Sequence, residues 1–336
     1  MKAAVCAAYG GPDVVRVLEI PAPVAKPNEV LIRVRATTVA TGDARVRGSR
    51  FPSGFWLPAR LFLGLTRPRK PILGTELAGV VQAVGSNVTR YRAGDKVFAF
   101  SGAGMGCHAE LKSMPEDGAI ALMPAGFTFE EAAAISFGGT TALYFLRDAG
   151  HVQRGERLLV NGASGAVGTA AVQLAKHFGA HVTGVCSAAN ADLVRSLGAD
   201  VVINYKAADF ATSGRRWDII LDTVGNIPFA RCRHALNKKG RLLMIAGGLG
   251  DMLKAPFQSM VSGLQVAGGP APERAQDVAE LKILCATGAY KPVIDSRYAF
   301  DRIAEAHART DSERKVGSVV VTLPDARCEE HQLAED

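Results

Sequence analysis

Asn161-Gly162-Ala163-Ser164-Gly165-Ala166-Val167-Gly168 is the stretch of this chain whose residue types and spacing speak most directly of chemistry. Small residues there let a backbone approach an anion closely, and a helix that opens at the turn aims free N–H groups at it. The spacing Ala163-x-Gly165-x-x-Gly168 fits a dinucleotide pyrophosphate turn, with Ala163 where the first glycine usually stands. Ala163, Ser164, Gly165, Ala166 and Val167 are therefore candidate phosphate contacts. An NAD-selective turn carries an acid about 20 residues past its glycines, accepting from the ribose 2′-hydroxyl. The stretch 185–190 holds no acid. Ser187 and Asn190 there can instead donate to a 2′-phosphate, which favours NADP(H). The same two residues also suit the capping of the helix that follows.

Other chemistries are narrowed by what the chain lacks. The six cysteines stand at 6, 107, 186, 232, 285 and 328, and none forms a Cys-x-x-Cys pair. With no secretory leader at the start, reduced thiols in the cytoplasm are expected. No tyrosine is followed four residues later by lysine, and there is neither a Walker loop nor a nucleophile elbow. The net charge is +7, and positions 45–70 hold seven basic residues and no acid. They are interleaved with Phe51, Phe55, Trp56, Leu57, Leu61, Phe62 and Leu63 and match no nucleic-acid motif, so a basic rim near a phosphorylated cofactor is expected instead. No apolar run reaches the length of a membrane span. Residues 324–336 carry five acids against Arg327 and read as a solvated tail.

The elements that must position the turn follow from periodicity. In 29–36, Val30, Ile32, Val34 and Ala36 alternate with Arg33 and Arg35, a half-buried strand. Short apolar runs at 77–84 and 96–100, bounded by glycines, extend a β-rich module over the first 120 or so residues. From about 129 the pattern becomes helical and then alternates. Strands are expected at 157–160, 181–186, 201–205, 218–224, 241–246 and near 264–267. Val167, Ala170, Ala171, Leu174, Ala175 and Phe178 form one helix face ended by Gly179. Such alternation predicts a doubly wound parallel sheet in an α/β chain. A helix at 276–287 and a strand at 317–323 are expected to return to the first module. The division is then 1–128 with 269–323, and 129–268 for the cofactor.

Taken in order, these residues resemble the medium-chain dehydrogenase/reductase superfamily, in its zinc-independent quinone oxidoreductase (zeta-crystallin-like) branch, over about 1–323. The resemblance rests on Met1-Lys2-Ala3, Pro27-Asn28-Glu29-Val30-Leu31-Ile32 and Gly94-Asp95-Lys96-Val97. It continues in Ala109-Glu110, Gly139-Thr140-Thr141-Ala142, the 161–168 turn and Leu197-Gly198-Ala199-Asp200. It implies a GroES-like catalytic domain, a Rossmann NADP-binding domain and a cleft between them. Zinc-dependent relatives place cysteine near position 40 and histidine in a Gly-His-Glu triplet. Here Ala40 and Gly74-Thr75-Glu76 stand instead, and the structural-zinc cysteines are missing, so no metal site is expected.

The resemblance further places Thr141 beside the nicotinamide, Ala246 and Gly247 against its carboxamide, and Tyr205 near the 2′-phosphate, with surface packing as the alternative for Tyr205. Asp43 matches a cleft aspartate, although Ala40 replaces the asparagine that accompanies it; a satisfied turn carboxylate is the alternative. His108, before Ala109-Glu110, is a candidate proton donor, with simple packing as the alternative. Phe51, Phe55, Trp56 and Leu57 are expected to wall an apolar pocket, with ordinary core packing as the alternative. The implied activity is zinc-independent hydride transfer from NADPH to a quinone or an α,β-unsaturated carbonyl. The partner is a small apolar electrophile, and the protein is expected to be a homodimer through 264–268. The alternatives are an NADPH-binding sensor or structural protein with little turnover, and a metal-free carbonyl reductase.

Overall fold

Two sheets share the work of positioning the turn. The computed structural model describes residues 1–324. The acidic tail expected at 324–336 lies outside them except for Pro324. Lys2–Cys6 (β1) and Val15–Glu19 (β2) form an antiparallel ribbon. Then come Glu29–Thr38 (β3), helices Thr41–Gly48 (α1) and Trp56–Leu63 (α2), Glu76–Val84 (β4) and Lys96–Phe100 (β5). Leu111–Pro115 (β6) and Ile120–Leu122 (β7) complete the N-terminal strands. Helices Phe129–Ala133 (α3) and Ser136–Leu143 (α4) follow. The cofactor half comprises Arg157–Asn161 (β8), Ala166–His177 (α5), His181–Cys186 (β9), Ala191–Ser196 (α6), Val201–Asn204 (β10) and Trp217–Asp222 (β11). Phe229–Cys232 (α7), Leu236–Met244 (β12), Leu249–Ser262 (α8) and Gln265–Gly268 (β13) finish it. The chain ends in Ala275–Ala286 (α9), Ile294–Ala299 (β14), Ile303–Asp311 (α10) and Ser318–Thr322 (β15).

The second sheet is parallel in the order β10-β9-β8-β11-β12-β13. Leu158 and Val160 of β8 pack with Ala170, Ala171 and Leu174 of α5, while Leu159 joins Trp217, Ile220 and Leu242 on the other face. Both faces are covered, which is why β8 reads as an unbroken apolar run rather than an alternation. Strand order reverses between β8 and β11, so the crevice at their C-terminal ends is the place this topology offers a ligand.

The first sheet runs β14-β15-β3-β4-β5-β7, with β6 also on β3. β15 pairs antiparallel with β3, so the end of the chain returns to its beginning. Val30, Ile32 and Val34 of β3 meet Val319 and Val321 of β15 in its core, and Arg33 and Arg35 point the other way, as their alternation predicts. Helices α1, α2, α7, α8 and α10 stand where the periodicity gave no signal. In α2 and α8 the apolar residues lie outward, so they do not mark a core face. Cys6, Cys107, Cys186, Cys232 and Cys285 are free and buried.

Candidate cofactor site and cleft

The phosphate turn sits at the C-terminal end of β8. Gly162 takes the left-handed φ of +80° that swings the chain out of the strand. Ala163 does not need that conformation; its Cβ is buried and faces Gly184 of β9, which explains why alanine serves where a glycine is usual. Gly165 is the N-cap of α5 and has no side-chain cap, so the first-turn N–H groups, including those of Ala166 and Val167, are left for an anion. A Cβ on Gly168 would collide with the Gly162 carbonyl oxygen and crowd the Ala163 Cα. A Cβ on Gly165 would meet only that same oxygen, at 3.6 Å. Gly168 is thus required by the turn's own packing, whereas the space beside Gly165 is open. That open space and the free N–H groups fit a pyrophosphate.

Ser164 is held from two sides: its Oγ accepts from Asn190 Nδ2 at 3.0 Å and its carbonyl from Gly317 N–H at 2.9 Å. Neither Ser187 nor Asn190 makes a side-chain cap to the helical turn it precedes. The capping alternative for these two residues therefore finds no hydrogen bond. Tyr205 follows β10, is 59% exposed, and lines a small pocket with Asn161, Val185, Phe210, Asn226 and Arg231. The predicted residues from 163 to 247 fall at the C-terminal ends of β8, β9, β10 and β12, along one rim of the sheet. Thr141 comes from α4, which packs across α5. Its hydroxyl donates to the Phe137 carbonyl at 2.8 Å, leaving oxygen lone pairs to accept.

The sequence reading missed the group beneath this rim. Asp222 ends β11 and is buried; its Oδ1 accepts from Asn161 Nδ2 at 2.8 Å and from the Val224 and Gly225 N–H groups. Asn161 Nδ2 also donates to Asn226 Oδ1. This network fixes the two turns on either side of the crevice. The signal was available in Asp222-Thr223-Val224-Gly225, an acid and a glycine closing a strand.

The two candidate proton-handling groups lie beneath the surface. Asp43 and His108 are wholly buried. Asp43 caps α1, accepting from Ala40 N–H at 2.8 Å and Gly74 N–H at 2.9 Å, and burial pushes its carboxyl upward. His108 Nε2 lies 2.9 Å from the Thr38 carbonyl, which can only accept, so that nitrogen carries the hydrogen. Its ring stands edge-on to His307 and Nδ1 has no partner. These contacts suit the satisfied turn carboxylate and the packed histidine that the sequence left as alternatives. Of the expected apolar wall, Phe51 and Phe55 are half-buried, whereas Trp56 and Leu57 face solvent.

Glu76, of the Gly74-Thr75-Glu76 triplet, joins the two halves. It is buried, accepts from Thr38 Oγ1 at 2.5 Å and from Phe137 N–H of α4 at 2.6 Å, and burial raises its carboxyl to about 7. Across the cleft mouth the Ser53 carbonyl accepts from Leu249 N–H at 2.8 Å. Among the described residues no three His, Cys, Asp or Glu side chains converge as a metal-holding group, and no helix is long and apolar enough to cross a membrane.

Comparison with known proteins agrees with this architecture. Residues 26–157 match the alcohol dehydrogenase GroES-like domain, and residues 197–321 match the zinc-binding dehydrogenase model. A quinone oxidoreductase of Pseudomonas aeruginosa is 31% identical, covering 94% of this chain and 97% of its own. The chain belongs to the quinone oxidoreductases of the medium-chain dehydrogenase/reductase superfamily. A chloroplast envelope quinone oxidoreductase homolog of Arabidopsis thaliana is likewise 31% identical, over 93% and 95% of the two chains. The Escherichia coli quinone oxidoreductase solved with NADPH superposes with a TM-score of 0.81 at 25% identity, covering 96% of this chain and all of that one. Membership makes the protein an oxidoreductase with a Rossmann domain for a nicotinamide cofactor.

Proposed function

We propose that the protein is an NADPH-dependent reductase of quinones or α,β-unsaturated carbonyls that works without zinc, in the cytoplasm and as a homodimer. The observation that carries the cofactor choice is the end of β9, where no acid stands and the Ser187 hydroxyl and Asn190 amide make no helix cap. Two donors and no carboxylate suit a 2′-phosphate, and the exposed ring of Tyr205 lies on the same rim. The NADPH-bound relative supports the same choice.

In this reading residues 129–268 hold the cofactor, and 1–128 with 269–323 form the catalytic half. The Ala166 and Val167 N–H groups face the pyrophosphate, while Ala163, Ser164 and Gly165 shape the turn, the Ala163 and Gly165 N–H groups donating to the Val185 and Gly162 carbonyls. Thr141, Ala246 and Gly247 orient the nicotinamide, which when bound supplies the hydride. Zinc would need ligands that Ala40 and Thr75 cannot provide. With Asp43 and His108 buried, the oxygen of a reduced quinone takes its proton from water. A quinone suits that arrangement because it accepts hydride without prior protonation.

The reading is tested by following NADPH and NADH oxidation under EDTA with 9,10-phenanthrenequinone and with 1-octen-3-one. EDTA-resistant, NADPH-preferring oxidation is expected. NADPH binding with no oxidation of either acceptor would instead favour a binding protein, and stoichiometric zinc lost with activity under EDTA would overturn the metal-free part.

A further inference from the structure

We infer that the outward face of α2, with the basic segment behind it, docks on an anionic phospholipid bilayer. A helix of a globular protein ordinarily buries an apolar stripe. In α2 no residue is buried: Trp56 is 55% exposed, Leu57 57%, Leu61 54% and Phe62 68%, and Leu65 beyond the helix is 57% exposed. The helix is nevertheless fixed to the body. Tyr9 Oη donates to the Gly64 carbonyl at 2.7 Å, the Arg60 guanidinium lies 4.0 Å from the centre of the Tyr9 ring, and Arg60 Nη1 donates to Ser49 Oγ at 3.2 Å. The apolar side chains are thus held outward on a rigid base.

The charges carried by the segment itself are of one sign. No acid occurs between positions 45 and 70. Arg47 and Arg50 are paired with Asp311, and Glu313 bears on Arg45. Arg67, Arg69 and Lys70 remain exposed beside the helix, with Arg69 touching the Phe62 carbonyl and Lys70 the Ala103 carbonyl. Trp, Leu and Phe beside Arg and Lys is the composition of an interfacial helix, its rings at headgroup level and its cations on lipid phosphates. Charge complementarity selects the occupant. A second copy packed symmetrically on this face would oppose like cations, whereas anionic headgroups would neutralise them. Because α2 begins three residues after Ser53, which closes the cleft mouth against Leu249, a docked molecule would meet apolar acceptors dissolved in the membrane. That last consequence rests on the reductase reading; the docking does not.

The test uses the full chain with vesicles of phosphatidylcholine alone and of phosphatidylcholine with phosphatidylglycerol, at low and high salt, without cofactor. Sedimentation with the anionic vesicles, weakened by salt, is expected. Trp56 and Trp217 are the two tryptophans, and Trp217 is buried. A blue shift of the fluorescence on adding anionic vesicles therefore reports Trp56 entering the interface. Replacing Arg67, Arg69 and Lys70 by Gln lowers partitioning about fivefold per charge removed. Leu61→Ser with Phe62→Ser abolishes the blue shift while the thermal transition stays in place. Absence of both sedimentation and shift at low salt would overturn the inference. So would binding undiminished in both variants, or an oligomer that the Leu61→Ser/Phe62→Ser variant dissolves, which would mark a protein interface. Turnover of a water-soluble quinone on the same preparation is read separately; its absence sinks the reductase reading and leaves the vesicle result to be judged alone.

Discussion

Gly165→Ala and Gly168→Ala remove the same kind of residue three positions apart, and the structure predicts opposite phenotypes. At Gly168, inside α5, alanine gains about 1 kcal/mol of helix propensity. Its Cβ would however collide with the Gly162 carbonyl and the Ala163 Cα, backbone atoms that cannot rotate aside. Overpacking of this kind costs about 1–3 kcal/mol even against yielding side chains. A clash with backbone sits at the upper end, about 3 kcal/mol, so the net is a loss of about 2 kcal/mol, several degrees in Tm for a chain of this size. At Gly165 the backbone is extended, with φ −76° and ψ 173°, which alanine adopts freely. Alanine is the poorer N-cap by about 0.5 kcal/mol, and the smaller entropy of its unfolded chain offsets about as much. Tm should therefore hardly move. The methyl would occupy the space beside the turn, so NADPH affinity should fall 10- to 100-fold. Calorimetric melting of both variants and titration with NADP by isothermal calorimetry decide the matter. Equal melting of the two, or full affinity in Gly165→Ala, would refute the division of labour between these glycines.

Ser187→Asp places a carboxylate where the 2′-phosphate is read, and should turn the NADPH preference toward NADH by about 10-fold or more, measured as the ratio of kcat/KM values; an unchanged ratio would move the selectivity elsewhere. Glu76 has a native value of about 7 against 4.5 when exposed, so folding favours its protonated form. Its stabilisation is full below about pH 4.5 and is lost as pH rises through 7, amounting to about 3 kcal/mol at most. Melting of Glu76→Gln across pH 4.5–7 should lack that slope, and a slope equal to wild type would refute the assignment. Leu253, Phe257, Met260 and Val261 form an exposed stripe on α8, next to the edge strand β13. Replacing Leu253, Phe257 and Met260 by Ser should convert a dimer to monomers in light scattering after size exclusion, and an intact dimer would place the interface elsewhere.

The parallel strands were legible because both sides of their sheet are covered, which leaves unbroken apolar runs such as Leu158-Leu159-Val160 between polar turns. The phosphate turn was legible because its glycines do local work. Residues whose role depends on distant partners were not. Asp43 and His108 are polar residues in a cleft-forming module, and only tertiary structure shows that Gly74 N–H and the Thr38 carbonyl absorb them. Asp222 escaped notice because its side-chain partner, Asn161, ends a strand 61 residues away, and Asn226 is joined to it only through Asn161. Helix α8 was invisible for a physical reason: Ala255 is its one buried residue, Pro256 interrupts it, and its apolar side chains face away from any core.

The hydrogen bond from Gly317 N–H to the Ser164 carbonyl gives the molecule a timetable. The turn at 162–168 is synthesised when half the chain is still unmade, yet one of its carbonyls finds its partner only after residue 317 has been synthesised. A nascent cofactor half can assemble its parallel sheet early, while the loop that faces the nucleotide waits for the last strand. Cofactor capture should thus be among the final events of biogenesis, and nucleotide added during synthesis would engage finished molecules in preference to growing ones. The same bond sets a limit for engineering: a nucleotide-binding fragment cut at 268 would keep the glycines of the turn and lose the contact that steadies them.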